Sequence, residues 1–299
     1  MLLEDLAQKN METEFVDNPC RGIVLGMNED GLLMQLAWIM GRSDNSKNRV
    51  YIAEDDVLRT EPADPSKVKD PRLIIYTAMG SVFDADKVSA HIVSNGVQTD
   101  TIYERFARDI VENKGLGSPD SFNRSLRTHY CEPDPIIFTP RISGYQVTDE
   151  KGMVYIAILK AEPSAREKWI RNIEEHNLKR EDFEDNDAFN AKVSELSGLD
   201  HNAFPTLREF FEMPIAPGFG YCFTTYDPND SKNLPSFTGE PVLVPIKGEV
   251  ENVMETYWNA LEPEWKVALG GKAFSADNPS WYRMVKPINT KHKVEKGDE

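Results

Sequence analysis

Cysteine and histidine are scarce in this 299-residue chain, and neither falls into a ligand pattern. The three cysteines, at positions 20, 131 and 222, are too few and too scattered for a disulfide framework, which suits a reducing cytosol. No Cys-x-x-Cys or His-x-x-x-His spacing occurs, so we expect no metal site. No apolar run approaches about 20 residues, and the acidic N-terminus is unlike a signal peptide. We therefore expect a soluble, cytoplasmic protein with no membrane partner.

Basic residues are also in short supply. The 34 lysines and arginines stand against 50 acidic residues, and the formal net charge is -16. Such a chain repels phosphate backbones, which argues against nucleic acid as a partner. A small anionic ligand remains compatible with this charge if a few arginines converge in one pocket. Hydrophobic residues at 40% and charged residues at 28% are ordinary for a globular protein with a packed core.

The order of the hydrophobic segments predicts an α+β fold with mainly antiparallel strands. The segments RGIVLGM and LLMQLAWIM predict a hairpin of nearly continuous apolar character, as expected for strands covered on both faces. Residues 162–213 are highly charged and predict a helical insertion. We expect a lead-in at residues 1–18, a single domain at 19–285 that carries this insertion, and a flexible tail at 286–299.

Three loops, each at the end of a predicted strand, carry candidate chemistry. The first, GRSDNSKNR at 41–49, places two arginines and a lysine among short polar residues. Guanidinium groups and easily approached backbone N–H groups are what a phosphate needs. Ser, Asn and Asp are also ordinary turn residues, so a solvated hairpin loop is the alternative.

The second loop, SNGVQTD at 94–100, joins a strand to a predicted helix, whose free N–H groups favour an anion. Ordinary turn and capping chemistry is the alternative. The third loop begins at Glu132, and the prolines at 133, 135 and 140 restrict its backbone. It would hold Glu132, Asp134 and Arg141 in defined positions, either for acid–base catalysis or as structural ion pairs.

Tyr76 and Cys20 each have a structural and a chemical interpretation. Tyr76 closes the RLIIY segment and is either a core aromatic or a proton donor. Cys20 directly precedes the first strand and is either a small buried residue or the nucleophile of an N-terminal-nucleophile hydrolase. Because Cys20 lies behind 19 residues, it could attack a substrate only after cleavage of the chain.

Taken together, the motifs of residues 19–160 resemble those of the IMP cyclohydrolase family, first known from archaea. The most specific are SNG-x-x-TDTI and TPRI, and YCFTTY and PSFTGEP are weaker echoes further along the chain. The motifs follow in the family's order: RGIVLGMNEDG, GRSDNSKNR, RLIIY, IVSNGVQTDTI and FTPRISG. The lead-in, the insertion and the C-terminal extension depart from the shorter archaeal proteins and could remodel the pocket mouth or the oligomer.

The resemblance implies a fold and a reaction. The fold is the αββα four-layer sandwich of the N-terminal-nucleophile hydrolases, used without autoproteolysis. The reaction is the closure of the last purine ring, in which 5-formamidoimidazole-4-carboxamide ribotide loses water and becomes inosine monophosphate (IMP). A purine nucleotide is then the small-molecule partner, with no cofactor and no metal implied, and a homo-oligomer is left open.

For this reaction we assign Glu132 as the proton shuttle and Tyr76 as a donor to the leaving oxygen. By resemblance, Arg49 holds the phosphate or the carboxamide oxygen, and polar residues of the loops bind the substrate. That set is Arg21, Arg42, Ser43, Asn48, Asn95, Gly96, Thr99, Asp100 and Arg141. Two alternatives remain open: an amide hydrolase that uses Cys20 after processing, and a non-catalytic nucleotide-binding protein.

Overall fold

The structure is a computed structural model that describes residues 2–68, 71, 74–85, 87–150 and 152–294. These residues contain two antiparallel sheets of seven strands each. The first sheet is made of β1 (Arg21–Met27), β2 (Leu33–Met40), β10 (Phe219–Thr224), β11 (Val242–Pro245), β12 (Lys266–Phe274), β13 (Tyr282–Met284) and β14 (Ile288–Asn289). Its order is β11-β10-β1-β2-β12-β13, and β14 pairs with β12.

The second sheet keeps its strands in chain order. They are β3 (Arg49–Glu54), β4 (Val57–Pro62), β5 (Thr77–Asp84), β6 (Val88–Ser94), β7 (Arg141–Val147), β8 (Met153–Ala161) and β9 (Thr206–Pro214). Each strand therefore pairs with the one before it in the chain. The α-helices of the described residues interrupt this order twice, between β6 and β7 and between β8 and β9.

Six α-helices lie within the described residues: α1 (Leu3–Glu14), α2 (Gln98–Val111), α3 (Pro119–Ser125), α4 (Pro163–Glu175), α5 (Asn186–Ser197) and α6 (Val250–Ala260). Buried side chains of α1 and α6 share a core with the first sheet. Buried side chains of α2 and α3 share another with the second sheet. A third core joins the two sheets face to face. The fold is thus an α+β layered sandwich with helices outside two packed sheets, which explains why every residue of β1 and β2 is buried.

The predicted helical insertion is shorter than the sequence suggested. Helices α4 and α5 occupy most of residues 163–197, but residues 206–214 form the edge strand β9, paired with β8 along its length. The two helices have a core of their own around Trp169 and Phe204. Phe138, from the loop that follows Glu132, stacks on Phe204 with ring centroids 3.8 Å apart. The insertion therefore packs, through Phe204, against the loop that follows Glu132.

The described part of the C-terminal region is bound to the domain. Besides β14, the backbone N–H of Val294 donates to the carbonyl of Ala63 at 2.8 Å. Residues 295–299 of the predicted tail lie outside the described residues, as do Arg72 and Leu73 of the RLIIY segment. Across the described residues, no helix has both the length and the apolar character needed to cross a bilayer.

Candidate active site

A cleft of about 320 Å³ opens where three chain segments meet at one end of the sheets. Arg21 contributes from the start of β1, and the loop between β2 and β3 contributes residues between 41 and 49. The segment at 132–139, just before β7, and Tyr226, just after β10, complete the polar wall. Antiparallel strands alternate in direction, so the end of β2 and the starts of β1, β3 and β7 come together at this edge.

Arg21 and Glu132 form a buried ion pair in the wall of the cleft. The two terminal nitrogens of Arg21 donate to the two carboxylate oxygens of Glu132, each at 2.7 Å. Arg21 also donates to the backbone carbonyl of Asn95 at 3.2 Å. Burial opposes the charge on Arg21, but the Glu132 carboxylate outweighs burial and raises the pKa of Arg21 well above its usual value. The bidentate geometry fixes the orientation of the Glu132 carboxylate.

Arg49 lines the same cleft and is buried, yet it has no carboxylate partner within the described part of the chain. Its Nε donates to the carbonyl of Ser46 at 2.9 Å, and its Nη2 lies 3.5 Å from the carbonyl of Met40. Burial lowers the pKa of Arg49, and the nearby positive charge of Arg21 acts in the same direction. A buried cation without a counterion is costly. A bound anion would remove that cost, which makes Arg49 the strongest anion-binding candidate.

The loop between β2 and β3 surrounds Arg49 with donors. Ser43 and Ser46 bond each other through their hydroxyls at 3.1 Å, and the Ser46 hydroxyl also accepts from the Ser43 N–H at 2.9 Å. Arg42 is exposed, lines the cleft and donates to the carbonyl of Ser231. Asn48 is turned away from the cleft, because its amide bonds the backbone of Asp64 at 2.9 and 2.8 Å. The structure thus brings Arg42 and Ser43 to the cleft and gives Asn48 a structural contact.

The loop at 94–100 lies behind the cleft instead of lining it. The Asn95 amide accepts from the N–H of Ile142 at 2.8 Å and donates to the carbonyl of Pro140 at 3.0 Å. The hydroxyl of Thr99 is bonded to Ser94, and Asp100 is exposed. These contacts hold the start of β7 in place.

Gly96, in this loop behind the cleft, lies directly against the side chain of Arg141. A Cβ on Gly96 would lie 2.4 Å from Nη1 of Arg141, so only glycine admits this approach. That nitrogen is 3.9 Å from Oε1 of Glu132 and 3.4 Å from Oε1 of Gln98. Arg141 is therefore a second, more distant cation beside Glu132. Gln98 was absent from the sequence-based set, since glutamine in a helix N-terminal turn carries no distinctive signal.

Tyr76 lies beside the arginines but does not line the cleft. Tyr76 acts to raise the pKa of Arg49 and of Arg21, so its ring lies near both guanidinium groups. Its buried hydroxyl has no hydrogen-bond partner of normal geometry among the described residues. Tyr51 is its neighbour: burial first, and then Tyr76, raises the pKa of Tyr51 well above its usual value.

Asp134, a candidate of the third loop, forms a chain of hydrogen bonds with two cleft residues to which the sequence analysis gave no role, Thr139 and Tyr226. Asp134 accepts from the N–H of Thr139 at 2.6 Å and from its hydroxyl at 2.5 Å. The Thr139 hydroxyl is also bonded to the hydroxyl of Tyr226 at 2.7 Å. Burial, reinforced by the charge of Glu132, raises the pKa of Asp134 to about 7. Proximity to Glu132 marked Asp134 in the sequence, but nothing there connected either residue to Tyr226, 87 positions from Thr139.

Cys20 does not line the cleft, although its neighbours Pro19 and Arg21 do. Its side chain is fully buried in the core between α1, α6 and the first sheet. Burial raises the pKa of the Cys20 thiol to about 12. A nucleophilic cysteine needs an accessible thiolate, and this environment disfavours one.

Comparison with known protein families matches residues 19–278 to the family described as IMP cyclohydrolase-like protein. The chain belongs to this family. The match begins immediately before β1 and includes every residue of the cleft, so the resemblance seen in the motifs is confirmed. The description of the family names an enzyme activity on a nucleotide, IMP. No curated protein matches the chain.

Helix α1 and strands β13 and β14 lie outside the matched range, whereas α4, α5 and β9 fall within it. Within the described residues, no group of three or more His, Cys, Asp or Glu side chains is arranged to hold a metal ion. The polar groups that line the cleft include arginines, carboxyl groups and hydroxyls.

Proposed function

We propose that this protein is an IMP cyclohydrolase of purine biosynthesis. It would close the ring of 5-formamidoimidazole-4-carboxamide ribotide and release IMP and water. Family membership supports a reaction of this kind, and the cleft supplies groups of the right chemistry for the substrate. We also propose that the fold is of the N-terminal-nucleophile hydrolase type, used here without a terminal nucleophile. The proposed compartment is the cytoplasm, where a purine nucleotide would be available.

The observation that carries the proposal is the buried, unpaired guanidinium of Arg49. Arg42 and the serine-rich loop at 43–46 lie beside it in the cleft. Arginine forks match the paired oxygens of a phosphate or the oxygen of a carboxamide. The net charge of the chain is -16, so an anion-binding site requires a local cluster of positive side chains such as this one. The cleft volume of about 320 Å³ is in the range of small-molecule sites.

The reaction requires positioning first. The carboxamide nitrogen is a weak nucleophile because its lone pair is delocalised, but the formyl carbon belongs to the same molecule. Holding the two groups in contact can remove several kcal/mol of the barrier. In our proposal Arg49 and Arg42 hold the anionic end of the ribotide, and residues of the 94–100 loop support the wall on the ribose and base side.

Proton transfer is the second requirement. As the new C–N bond forms, the carboxamide nitrogen loses a proton, and the Glu132 carboxylate is our candidate to receive it. Its bidentate bond to Arg21 fixes the two oxygens, so the carboxylate need not reorganise during the reaction. Tyr76 is our candidate donor to the departing oxygen. It is buried next to Arg49 and Arg21, both of which line the cleft.

The test is an absorbance assay of ring closure with the formamido ribotide, purified protein and no added metal. We expect turnover that forms IMP in proportion to the ribotide consumed. Binding of IMP without turnover would overturn the proposal in favour of a nucleotide-binding protein. An active amide hydrolase that loses the first 19 residues, seen by mass spectrometry, would overturn it in favour of Cys20 chemistry.

A further inference from the structure

We propose that Asp134, Thr139 and Tyr226 form a proton relay in which Asp134 is the acid that protonates the formyl oxygen. The inference rests on the proposed ring closure and names a second catalytic carboxyl group for it. Asp134 lines the cleft and is joined to Thr139 by two hydrogen bonds of 2.6 and 2.5 Å. Thr139 is joined in turn to Tyr226 at 2.7 Å. All three residues line the same cleft as Glu132.

The two carboxyl groups of the loop have different environments, which suits them to different roles. Glu132 is committed to Arg21 through both oxygens. Asp134 has no cation within ion-pair distance among the described residues; its hydrogen-bond donors are the N–H and hydroxyl of Thr139. Pairs of carboxyl groups whose environments differ in this way commonly divide into one base and one acid. The raised pKa of Asp134, about 7, agrees with the acid role.

Asp134 also borders a second cavity, of about 910 Å³, between the 133–136 segment and helices α4 and α5. Only Asn45 and Asp134 line both this cavity and the cleft, counting the residues that the structure describes. Asp134 therefore lies between the cleft and the second cavity. This arrangement gives the helical insertion a function: it forms the far wall of the space that Asp134 borders.

The chemistry balances with these two carboxyl groups. In the first step the carboxamide nitrogen forms a bond to the formyl carbon and gives a proton to Glu132, while Asp134 gives its proton to the formyl oxygen. In the second step the C–O bond breaks, and the hydroxyl group takes a proton from Glu132 and leaves as water. The former formamide nitrogen gives its proton to the Tyr226 hydroxyl, and the chain passes one proton from Tyr226 to Thr139 and one from Thr139 to Asp134. Both carboxyl groups return to their starting states. One proton of the water came from the carboxamide nitrogen through Glu132, and the other came from Asp134, which the proton of the former formamide nitrogen replaces.

The proposal predicts the pH dependence of turnover. Ring closure needs neutral Asp134, so kcat should fall as the pH rises through the pKa of that group, near 7. The charged and titratable groups around Asp134 are Glu132 and Cys131 on its own segment, Arg21, Tyr226, and Arg180, Asp185, Asp187 and His201 across the second cavity.

The experiment compares Asp134→Asn with a matched control. Asp227 accepts from the N–H and hydroxyl of Thr238 at 3.0 and 2.9 Å, the same pattern that Asp134 makes with Thr139, but outside the cleft. We expect Asp134→Asn to lower kcat at least about 10²-fold, the usual cost of losing a positioned acid, and to lose the decline above pH 7. Asp227→Asn should retain both the wild-type kcat and the wild-type dependence of kcat on pH. IMP affinity should remain unchanged in both variants, because neither carboxyl group holds the anion.

A second pair of variants keeps the test decisive if Asp134→Asn does not fold. Thr139→Val removes the hydroxyl that links Asp134 to Tyr226. This variant should have a lower kcat, and the pH at which kcat declines should move away from 7. Thr139→Ser restores the hydroxyl and should restore both. If Asp134→Asn folds, turns over normally and keeps the wild-type profile, or if Thr139→Val does so, the relay is wrong while ring closure stands. Absence of turnover in the wild type would instead overturn the proposed function, and the relay with it.

Discussion

Replacing Arg49 tests the anion site most directly, because ligand binding and stability should respond in opposite directions. In the free protein this guanidinium is buried and forms no ion pair with a carboxylate of the described residues, and its nitrogens reach the backbone carbonyls of Ser46 and Met40. Removing an uncompensated buried charge relieves a desolvation cost of several kcal/mol. The two hydrogen bonds lost are worth roughly 1–3 kcal/mol together. We therefore expect Arg49→Met to leave the free energy of unfolding unchanged or to raise it.

Ligand binding should change in the other direction. A charge-assisted contact between Arg49 and a phosphate is worth about 1.5–3 kcal/mol, which corresponds to a loss of roughly 10- to 150-fold in IMP affinity. Arg49→Ala should show the same loss, and Arg49→Lys should recover only part of it, because lysine lacks the planar fork. Isothermal titration calorimetry with IMP measures the effect. Titration with inosine, which has no phosphate, shows whether the loss depends on that group.

Arg59 provides the matched control on the neighbouring strand β4. It is more exposed and already paired, with Glu54 at 2.5 Å and Glu61 at 2.7 Å. Arg59→Ala should therefore leave IMP affinity unchanged and cost no more than about 1 kcal/mol of stability. Unchanged IMP affinity in Arg49→Ala would remove this residue from the site. An equal loss of IMP and inosine affinity would assign it to the base or the carboxamide instead of the phosphate.

Three further predictions concern catalysis, metal and stability. Glu132→Gln should reduce the ring-closure rate at least about 10²-fold while IMP still binds, whereas Cys20→Ala should stay within about threefold; the reverse order would favour a cysteine hydrolase. Turnover should survive exhaustive chelation, and restoration of a lost rate by zinc would reveal a metal site. Lys272, fully buried with its Nζ 2.8 Å from the Ser81 hydroxyl, has a pKa lowered by burial to about 7. The unfolded chain binds that proton more tightly, so stability should rise from pH 7 to 9.5 in urea titrations, and Lys272→Met should flatten the rise.

The local elements of this fold could be predicted because their signals are local. The continuous apolar runs of β1 and β2 indicated strands covered on both faces, and both strands are buried throughout. Serine is a favoured helix cap, and Ser118 accepts from the N–H of Ser121 at the start of α3. Strand β9 was missed because the charges of residues 206–214 obscured its alternation. It lies at the edge of a sheet, where one side of the strand remains open to solvent and charged side chains are tolerated.

The sequence by itself determined the family, the strand-rich framework and the loops that hold the candidate chemistry, since motif order, turn residues and apolar periodicity are properties of short segments. Only the tertiary structure decided which side chains meet. Glu132 is bonded to Arg21, 111 positions away, and Tyr226 closes a relay that begins at Asp134. Such pairings depend on the register of strands far apart in the chain. The raised pKa of Asp134 and the lowered pKa of Arg49 likewise depend on burial, which exists only once the two sheets are packed together.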